Sequence, residues 1–303
     1  MMKAALLYLS EREAPKKILT NNALFNKVTK RFVAGEELDE AARAIRVLND
    51  KGITATFDHL GEAIRNETEA SAEVGMYKRI IDRIESDKLD SNVSLKLTQL
   101  GLDISNELCV ANLTAIVEHA AETGNFVRID MEDSAHTDAT LDVFRTVRAT
   151  HENVGIVVQS YLYRTEDDIR SLLGIGSRIR LCKGAYKEPA EVAFQEKAKV
   201  DANYVVLMKL LLQSGIYHGI ATHDPKMINA TIRFAREAKI EQKSFEFQML
   251  YGIARDRQVQ LVEQGFNVRV YVPFGRAWYP YFMRRLAERP ANVLFILRAL
   301  VKG

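Results

Sequence analysis

The chain has 303 residues, 47% of them hydrophobic, and its 42 basic and 40 acidic residues leave a formal net charge of only +2. This length suits one large domain, and a near-neutral chain without a basic block argues against a nucleic-acid partner. The two cysteines are too few for a disulfide framework, no run approaches the roughly 20 apolar residues of a membrane span, and the N-terminus lacks a signal-peptide pattern, so we expect a cytoplasmic protein.

Short apolar runs alternate with longer helical patterns along most of the chain. Helical spacing comes first, and strand candidates then follow at 53–57, 93–97, 126–130, 154–159, 178–182, 217–221, 245–250 and 268–272. We expect Pro273 and Gly275 to end the last strand. The predicted helices cover 15–35, 37–49, 70–86, 108–122, 141–150, 166–173, 192–213, 225–238, 254–263, 277–288 and 293–301.

Strict alternation with short connections favours parallel strands joined by right-handed crossovers. Eight such units in a chain of 303 residues predict a (βα)8 TIM-type barrel, and a doubly wound open sheet is the alternative. No linker or low-complexity segment divides the chain. We therefore predict a single domain over 1–303, with about 1–50 forming extra N-terminal helices.

Polar residues stand at the end of every predicted strand. The carboxyl ends of the strands form the active site of a (βα)8 barrel, so these residues are expected to converge. They are Asp58, His59, Lys96, Asp130, Glu132, Gln159, Tyr161, Arg180, Lys183, Thr222, His223, Glu246, Gln248 and Tyr271. Lys96 and Asp130 lie on neighbouring strands and are expected to form an ion pair, since a charge inside a barrel is costly unless paired.

The helix after the last strand carries Arg284 and Arg285 on one face with Tyr281 and Glu288. Two guanidinium groups can hold a carboxylate with fork geometry. The alternative is a solvated helix face whose arginines pair with Glu288 and water.

The sequence contains no common nucleotide-binding motif, and its possible metal-binding patterns are weak. There is no dinucleotide-binding glycine fingerprint, Walker loop, CxxC or HExxH. Asp58-His59 with Glu62, or Asp130 and Glu132 with His136, are weak metal patterns, and we predict no metal. A Schiff-base aldolase using Lys96 or Lys183 stays open, as does a barrel that binds a small carboxylate without turnover.

Several segments together resemble proline dehydrogenase, the FAD enzyme of proline catabolism. The resemblance runs from about residue 32 to 300, and the bacterial form with a single function fits the length. It is carried by Leu95-Lys96-Leu97, Asp130-Met131-Glu132, Val158-Gln159-Ser160-Tyr161, Arg180-Leu181-Cys182-Lys183-Gly184-Ala185-Tyr186, Ala221-Thr222-His223-Asp224, Phe245-Glu246-Phe247-Gln248-Met249-Leu250 and the stretch from Tyr271 to Glu288.

The resemblance implies a distorted (βα)8 barrel that oxidises L-proline to Δ1-pyrroline-5-carboxylate by hydride transfer to flavin N5. A quinone-type acceptor is implied, at the inner face of the membrane. The implied substrate contacts are Lys96 held by Asp130, the carboxylate-binding Arg284 and Arg285 with Glu288, and the pocket residues Tyr186, Leu250, Tyr271 and Tyr281. The implied FAD contacts are Gln159, Arg180 near N5, Lys183, Gly184, Ala185, Thr222, His223 and Gln248.

Overall fold

The computed structural model describes residues 29–61 and 64–288, and only the backbone of 284–288. Some predictions therefore fall outside the described residues. They concern the N-terminal helices before residue 29, the position of Glu62, the side chains of Arg284, Arg285 and Glu288, and the helix at 293–301.

Eight parallel strands, hydrogen-bonded in chain order, close into a barrel, so the predicted (βα)8 architecture is confirmed. The strands are β1 Thr54–His59, β2 Ser91–Leu95, β3 Val127–Ile129, β4 Val154–Gln159, β5 Ile179–Cys182, β6 His218–Ala221, β7 Phe245–Leu250 and β8 Asn267–Phe274. The helices are α1 Leu38–Asn49, α2 Glu67–Ser86, α3 Asn106–Glu122, α4 Thr137–Arg148, α5 Thr165–Gly174, α6 Lys197–Gln213, α7 Pro225–Glu237, α8 Arg255–Glu263 and α9 Trp278–Glu288.

The main apolar core lies between the strands and the surrounding helices. Strand β4 shows why the sequence favours this layer, because its run Val-Gly-Ile-Val-Val-Gln is buried at every position. Strands of a parallel sheet are covered on both faces, and they read as continuous apolar runs for that reason. Amphipathic helices such as α7 supply the outer wall of the core through Met227, Ile228 and Ile232.

Several element boundaries differ from the predictions by a few residues, and the described end of the helix predicted over 15–35 forms a turn after residue 29. Strand β2 ends at Leu95, so Lys96 lies just beyond it and precedes a 3-10 turn over Leu97–Leu100. Strand β8 continues through Pro273 to Phe274, because these two residues still pair with Asp58 and His59 of β1. Helix α6 begins at Lys197 rather than near 192, because the chain at Ala193 pairs instead with Leu162.

Candidate active site

A cavity of about 660 Å³ opens at the carboxyl ends of the strands, and each strand or the loop directly after it contributes to the lining. Of the polar strand-end residues expected to converge, four do not line this cavity, namely His59, Glu132, Tyr161 and Glu246. The cavity does bring together every substrate or cofactor contact that the resemblance implies and whose side chain is described. These are Lys96, Asp130, Gln159, Arg180, Lys183, Gly184, Ala185, Tyr186, Thr222, His223, Gln248, Leu250, Tyr271 and Tyr281. Their separate roles toward substrate or cofactor stay predictions.

Lys96 lies between two carboxylates at the base of this cavity. Its Nζ is 3.1 Å from Asp58 Oδ1 and 3.7 Å from Asp130 Oδ2. The expected Lys96–Asp130 pair is therefore present, but Asp58 is the closer partner. Burial opposes the charged form of Lys96, yet the two carboxylates outweigh it and hold the pKa of the Lys96 ammonium above its usual value.

Asp58 is a site residue for which the sequence predicts no definite role. Successive side chains of a strand point to opposite faces, so Asp58 faces the barrel interior while His59 turns outward to Glu73, 2.9 Å away. Thr56, also on β1, points inward and bonds Asn92, and this alternation is the signal that places Asp58 inside. Complete burial, together with repulsion from Asp130, raises the pKa of Asp58, against the attraction of Lys96.

Asp130 joins the lysine to Arg180. Its Oδ1 lies 2.8 Å from Arg180 Nη1 and accepts from Ser94 Oγ at 2.7 Å, while Tyr271 donates to Oδ2 at 2.6 Å. Burial would raise the pKa of Asp130, but Lys96 and Arg180 together hold it below its usual value. The carboxylate therefore remains charged and fixes three cavity side chains relative to one another.

Arg180 is held from several sides in the barrel interior. In addition to Asp130, its Nε donates to Gln248 Oε1, and its guanidinium lies over the Tyr271 ring with 5.3 Å to the centroid. Only 6% of the residue is exposed. A guanidinium that is buried and bonded in this way is a fixed positive charge at the cavity floor.

A second ionic cluster lies at the ends of β5 and β6. Lys183 Nζ contacts Asp201 and lies 2.8 Å from Asp224 Oδ2, and Lys197 contacts the same two aspartates. Burial opposes the charge on Asp224, but the lysines and the backbone N–H of Lys226 hold its pKa at about 2. An anion that binds Lys183 therefore competes with two carboxylates that stay ionised.

The other predicted contacts lie on the wall above this cluster. His223 Nε2 accepts a hydrogen bond from the backbone of Leu250 at 2.8 Å, so the imidazole ties β6 to β7. Thr222 Oγ1 accepts from the backbone N–H of Asp224 at 3.1 Å, next to the first turn of α7. Tyr186 is 39% exposed and stands at the rim of the cavity.

Gly184 lets the chain after β5 run closely past Tyr161. Its φ is +108°, which side-chain-bearing residues rarely adopt, and a Cβ there would overlap the Tyr161 ring. A rigid aromatic ring and a left-handed backbone together exclude any side chain at this position. The glycine thus keeps the cavity wall at 183–185 in place.

We expect Gly184→Ala to lower the free energy of unfolding by at least ~2 kcal/mol, since backbone strain and a ring clash add. Gly174→Ala is the matched control, because Gly174 ends helix α5 and a Cβ added to it would meet no atom within 4 Å. We expect this control to change stability by less than ~1 kcal/mol. Urea unfolding of both variants measures the difference. Equal stabilities would contradict the close approach to Tyr161.

The predicted metal pattern of Asp130, Glu132 and His136 does not assemble, whereas the pattern with Asp58 and His59 includes Glu62, which lies outside the described residues. Glu132 accepts from Thr98 Oγ1 at 2.8 Å, and His136 contacts the surface carboxylates Asp133 and Asp103 at 2.6 and 2.9 Å. Among the side chains described in 29–61 and 64–283, no group of three or more His, Cys, Asp or Glu is arranged to hold a metal ion. Over the same part of the chain, no helix has the length and apolar character needed to cross a bilayer.

The structure does not favour the Schiff-base alternative. A nucleophilic lysine needs a lowered pKa so that its amine is neutral, and the pKa of Lys96 is raised instead. Lys183 is bound by two aspartates.

A protein-family model and several full-length relatives match this chain. The family model described as proline dehydrogenase matches residues 41–298. Proline dehydrogenase 1 of Bacillus subtilis subsp. natto is 42% identical over 303 residues, covering 100% of both chains. Proline dehydrogenase of Deinococcus radiodurans is 40% identical and covers 100% of this chain and 99% of its own.

A solved structure is also similar to this fold. Proline utilization A (PutA) from Bdellovibrio bacteriovorus, inactivated by N-propargylglycine, superposes with a TM-score of 0.82 at 29% identity. The match covers 87% of this chain and 33% of that one, so this chain spans about a third of the PutA chain. From its family model and its full-length relatives, the chain belongs to the proline dehydrogenase family.

Proposed function

We propose that this member of the family holds FAD at the carboxyl ends of its strands and uses it to oxidise L-proline to Δ1-pyrroline-5-carboxylate. The flavin, when bound, supplies a two-electron oxidant that accepts a hydride at N5. The observation that carries the proposal is the cluster of Lys96, Asp58, Asp130 and Arg180, which presents fixed cations at the floor of a 660 Å³ cavity.

The lining suits a large cofactor with many hydrogen-bonding groups. Gln159 is 3% exposed, and its Oε1 has no hydrogen-bond partner among the described residues, although its Nε2 donates to Met131 O at 3.3 Å. A buried acceptor without a donor costs free energy, so a donor from a bound group would satisfy it. Gly184, which has no room for a Cβ, lets the backbone form part of the same wall.

In this proposal each group of residues has one task. Gln159, Arg180, Lys183, Gly184, Ala185, Thr222, His223 and Gln248 hold the cofactor. Lys96, kept charged and placed by Asp58 and Asp130, binds the proline carboxylate together with Arg284 and Arg285. Glu288 positions one of these two arginines. Tyr186, Leu250, Tyr271 and Tyr281 enclose the ring of the substrate. Fixing the carboxylate orients the ring carbon that is oxidised, and such positioning contributes several kcal/mol to catalysis.

The acceptor of the electrons is part of the same proposal. We propose a quinone-type acceptor, met at the inner face of the membrane by a cytoplasmic protein. The resemblance to the family supports this step. Reduction of a water-soluble quinone with L-proline as the only electron donor tests it.

The absorption spectrum of the purified protein tests the proposed function. We expect a flavin spectrum that bleaches when L-proline is added without oxygen. A flavin that does not bleach would keep the cofactor and reject the substrate. No flavin, even after FAD is added, would reject the proposal. D-proline serves as the matched control, because a carboxylate clamp and a ring wall together distinguish the two stereoisomers.

A further inference from the structure

A second cavity, of about 420 Å³, lies at the opposite mouth of the barrel, where the strands begin. It is lined by Arg128 of β3, Arg178 just before β5, and the pair Glu246 and Arg269 of β7 and β8. In (βα)8 barrels this end normally contributes to stability rather than to catalysis. However, two of the arginines that line this cavity form no ion pair with a described carboxylate.

Arg128 is a buried guanidinium with incomplete bonding. The residue is 3% exposed, and its Nη1 donates to the carbonyls of Arg178 (2.5 Å) and Ile156 (3.3 Å). Its Nε is buried and has no hydrogen-bond partner among the described residues, and none of their carboxylates lies within 4 Å of the guanidinium. If Arg128 served only to fill the barrel interior, each of its N–H groups would be expected to have a hydrogen-bond acceptor.

The other two arginines inside the barrel show the usual solution. Arg269 donates to both oxygens of Glu246 at 2.9 and 3.0 Å, and Arg180 pairs with Asp130 at 2.8 Å. Arg128 lacks such a counter-ion within the described chain. Burial, and then repulsion from Arg180, lowers the pKa of Arg128 to about 9. The attraction of Glu246, whose carboxylate is bonded to Arg269, offsets only part of this change.

Arg178 brings a second guanidinium to the same place. Its guanidinium carbon is 5.4 Å from the centroid of the Phe126 ring, and that of Arg128 is 4.8 Å from the same centroid. Arg178 is exposed at the cavity rim and forms no ion pair with any described carboxylate. Gly155 makes room for this arrangement, because a Cβ there would come within 2.6 Å of Arg128 Nη1.

We propose that this cavity is a binding site for a small oxoanion or carboxylate, with Arg128 at its buried end and Arg178 at its rim. Guanidinium groups bind carboxylate and phosphate oxygens with paired hydrogen bonds, and no described carboxylate occupies the guanidinium of Arg128. Glu85 and Asp90 line the same cavity, so a ligand that carries donor groups at its other end is also accommodated. The site is separate from the cavity that we assign to proline oxidation.

Isothermal titration calorimetry of the full-length protein, as purified, measures whether an anion binds at this site. Sodium phosphate and sodium L-glutamate are the two probes, each at constant ionic strength set with chloride. We expect saturable binding of at least one probe, one per chain, weakened at least about tenfold by Arg178→Met. The matched control is Arg233→Met on α7, an exposed arginine 4.0 Å from Glu237, and it is expected to bind like the wild type.

The two probes separate the sources of the anion, since stronger binding of glutamate indicates an organic carboxylate and stronger binding of phosphate an inorganic one. We expect Arg178→Met to leave kcat/KM for L-proline unchanged, because the residue lies at the far mouth of the barrel. Arg128→Met, if it folds, is expected to abolish binding. The proposal is overturned if neither probe binds, if Arg178→Met binds like the wild type, or if L-proline displaces the probe.

Discussion

Replacing Asp130 with asparagine is expected to lower kcat/KM for L-proline at least ~100-fold, which corresponds to about 2.7 kcal/mol of transition-state stabilisation. The side chain keeps its size, so the effect comes from the lost charge. In the native cluster, the carboxylates Asp58 and Asp130 balance the cations Lys96 and Arg180. Without Asp130, Lys96 and Arg180 face the cavity with one counter-ion between them.

The lost charge also removes the fixed positions of its neighbours. Arg180, at 2.8 Å, and Tyr271, at 2.6 Å, both depend on the Asp130 carboxylate for their placement in the cavity. Removing one partner of a buried ion pair costs about 3–5 kcal/mol of stability, so the melting temperature should fall as well. Tyr271→Phe keeps Asp130 charged and removes one hydrogen bond, and we expect a loss of about tenfold or less.

Asp133→Asn is the control for Asp130→Asn. Its carboxylate lies after the same strand but is 44% exposed and contacts His136. Steady-state kinetics with L-proline should show native values for this variant. If Asp130→Asn stays within about threefold of wild type, which is under ~0.7 kcal/mol, the cluster is structural and plays no part in binding or oxidation.

The barrel was predictable from the sequence because its strands repeat a local signal. β4 and β7 have the predicted bounds. β4 is a nearly continuous buried apolar run, and in β7 the buried residues Phe245, Phe247 and Met249 alternate with polar ones. The boundaries that failed depend on contacts distant in sequence. The start of α6 is displaced by the pairing of Ala193 with Leu162, and the end of β8 is extended by its pairing with Asp58 and His59 of β1.

The candidate site was also predicted only in part from the sequence. The strand-end rule identified Lys96, Asp130 and Arg180 as neighbours, because all carboxyl ends of a parallel barrel meet at one mouth. It did not identify the closer partner of Lys96, since the choice between Asp58 and Asp130 depends on distances of 3.1 and 3.7 Å that no pattern contains. The sequence also did not predict that Arg128 lacks an ion-pair partner among the described residues. An arginine in an apolar strand gives the same sequence pattern whether or not a carboxylate from another strand pairs with it.

Lys96→Met is expected to raise KM for L-proline about 100-fold and to lower the melting temperature. The first effect arises because the substrate carboxylate loses a cation at the cavity floor, a contact made in both ground and transition states. The second arises because Asp58 is completely buried, and Lys96 is its ion-pair partner among the described residues. An unpaired buried carboxylate must either take up a proton or destabilise the fold.

The double variant Lys96→Met/Asp58→Asn separates the two effects. It removes the cation and the orphaned charge together, so we expect most of the lost stability to return while KM for L-proline remains high. Lys199→Met, on the exposed pair with Glu196, controls for removal of any lysine and should match the wild type in both measurements. If the double variant recovered a native KM, Lys96 would serve only to neutralise Asp58, and the substrate carboxylate would be bound by other groups.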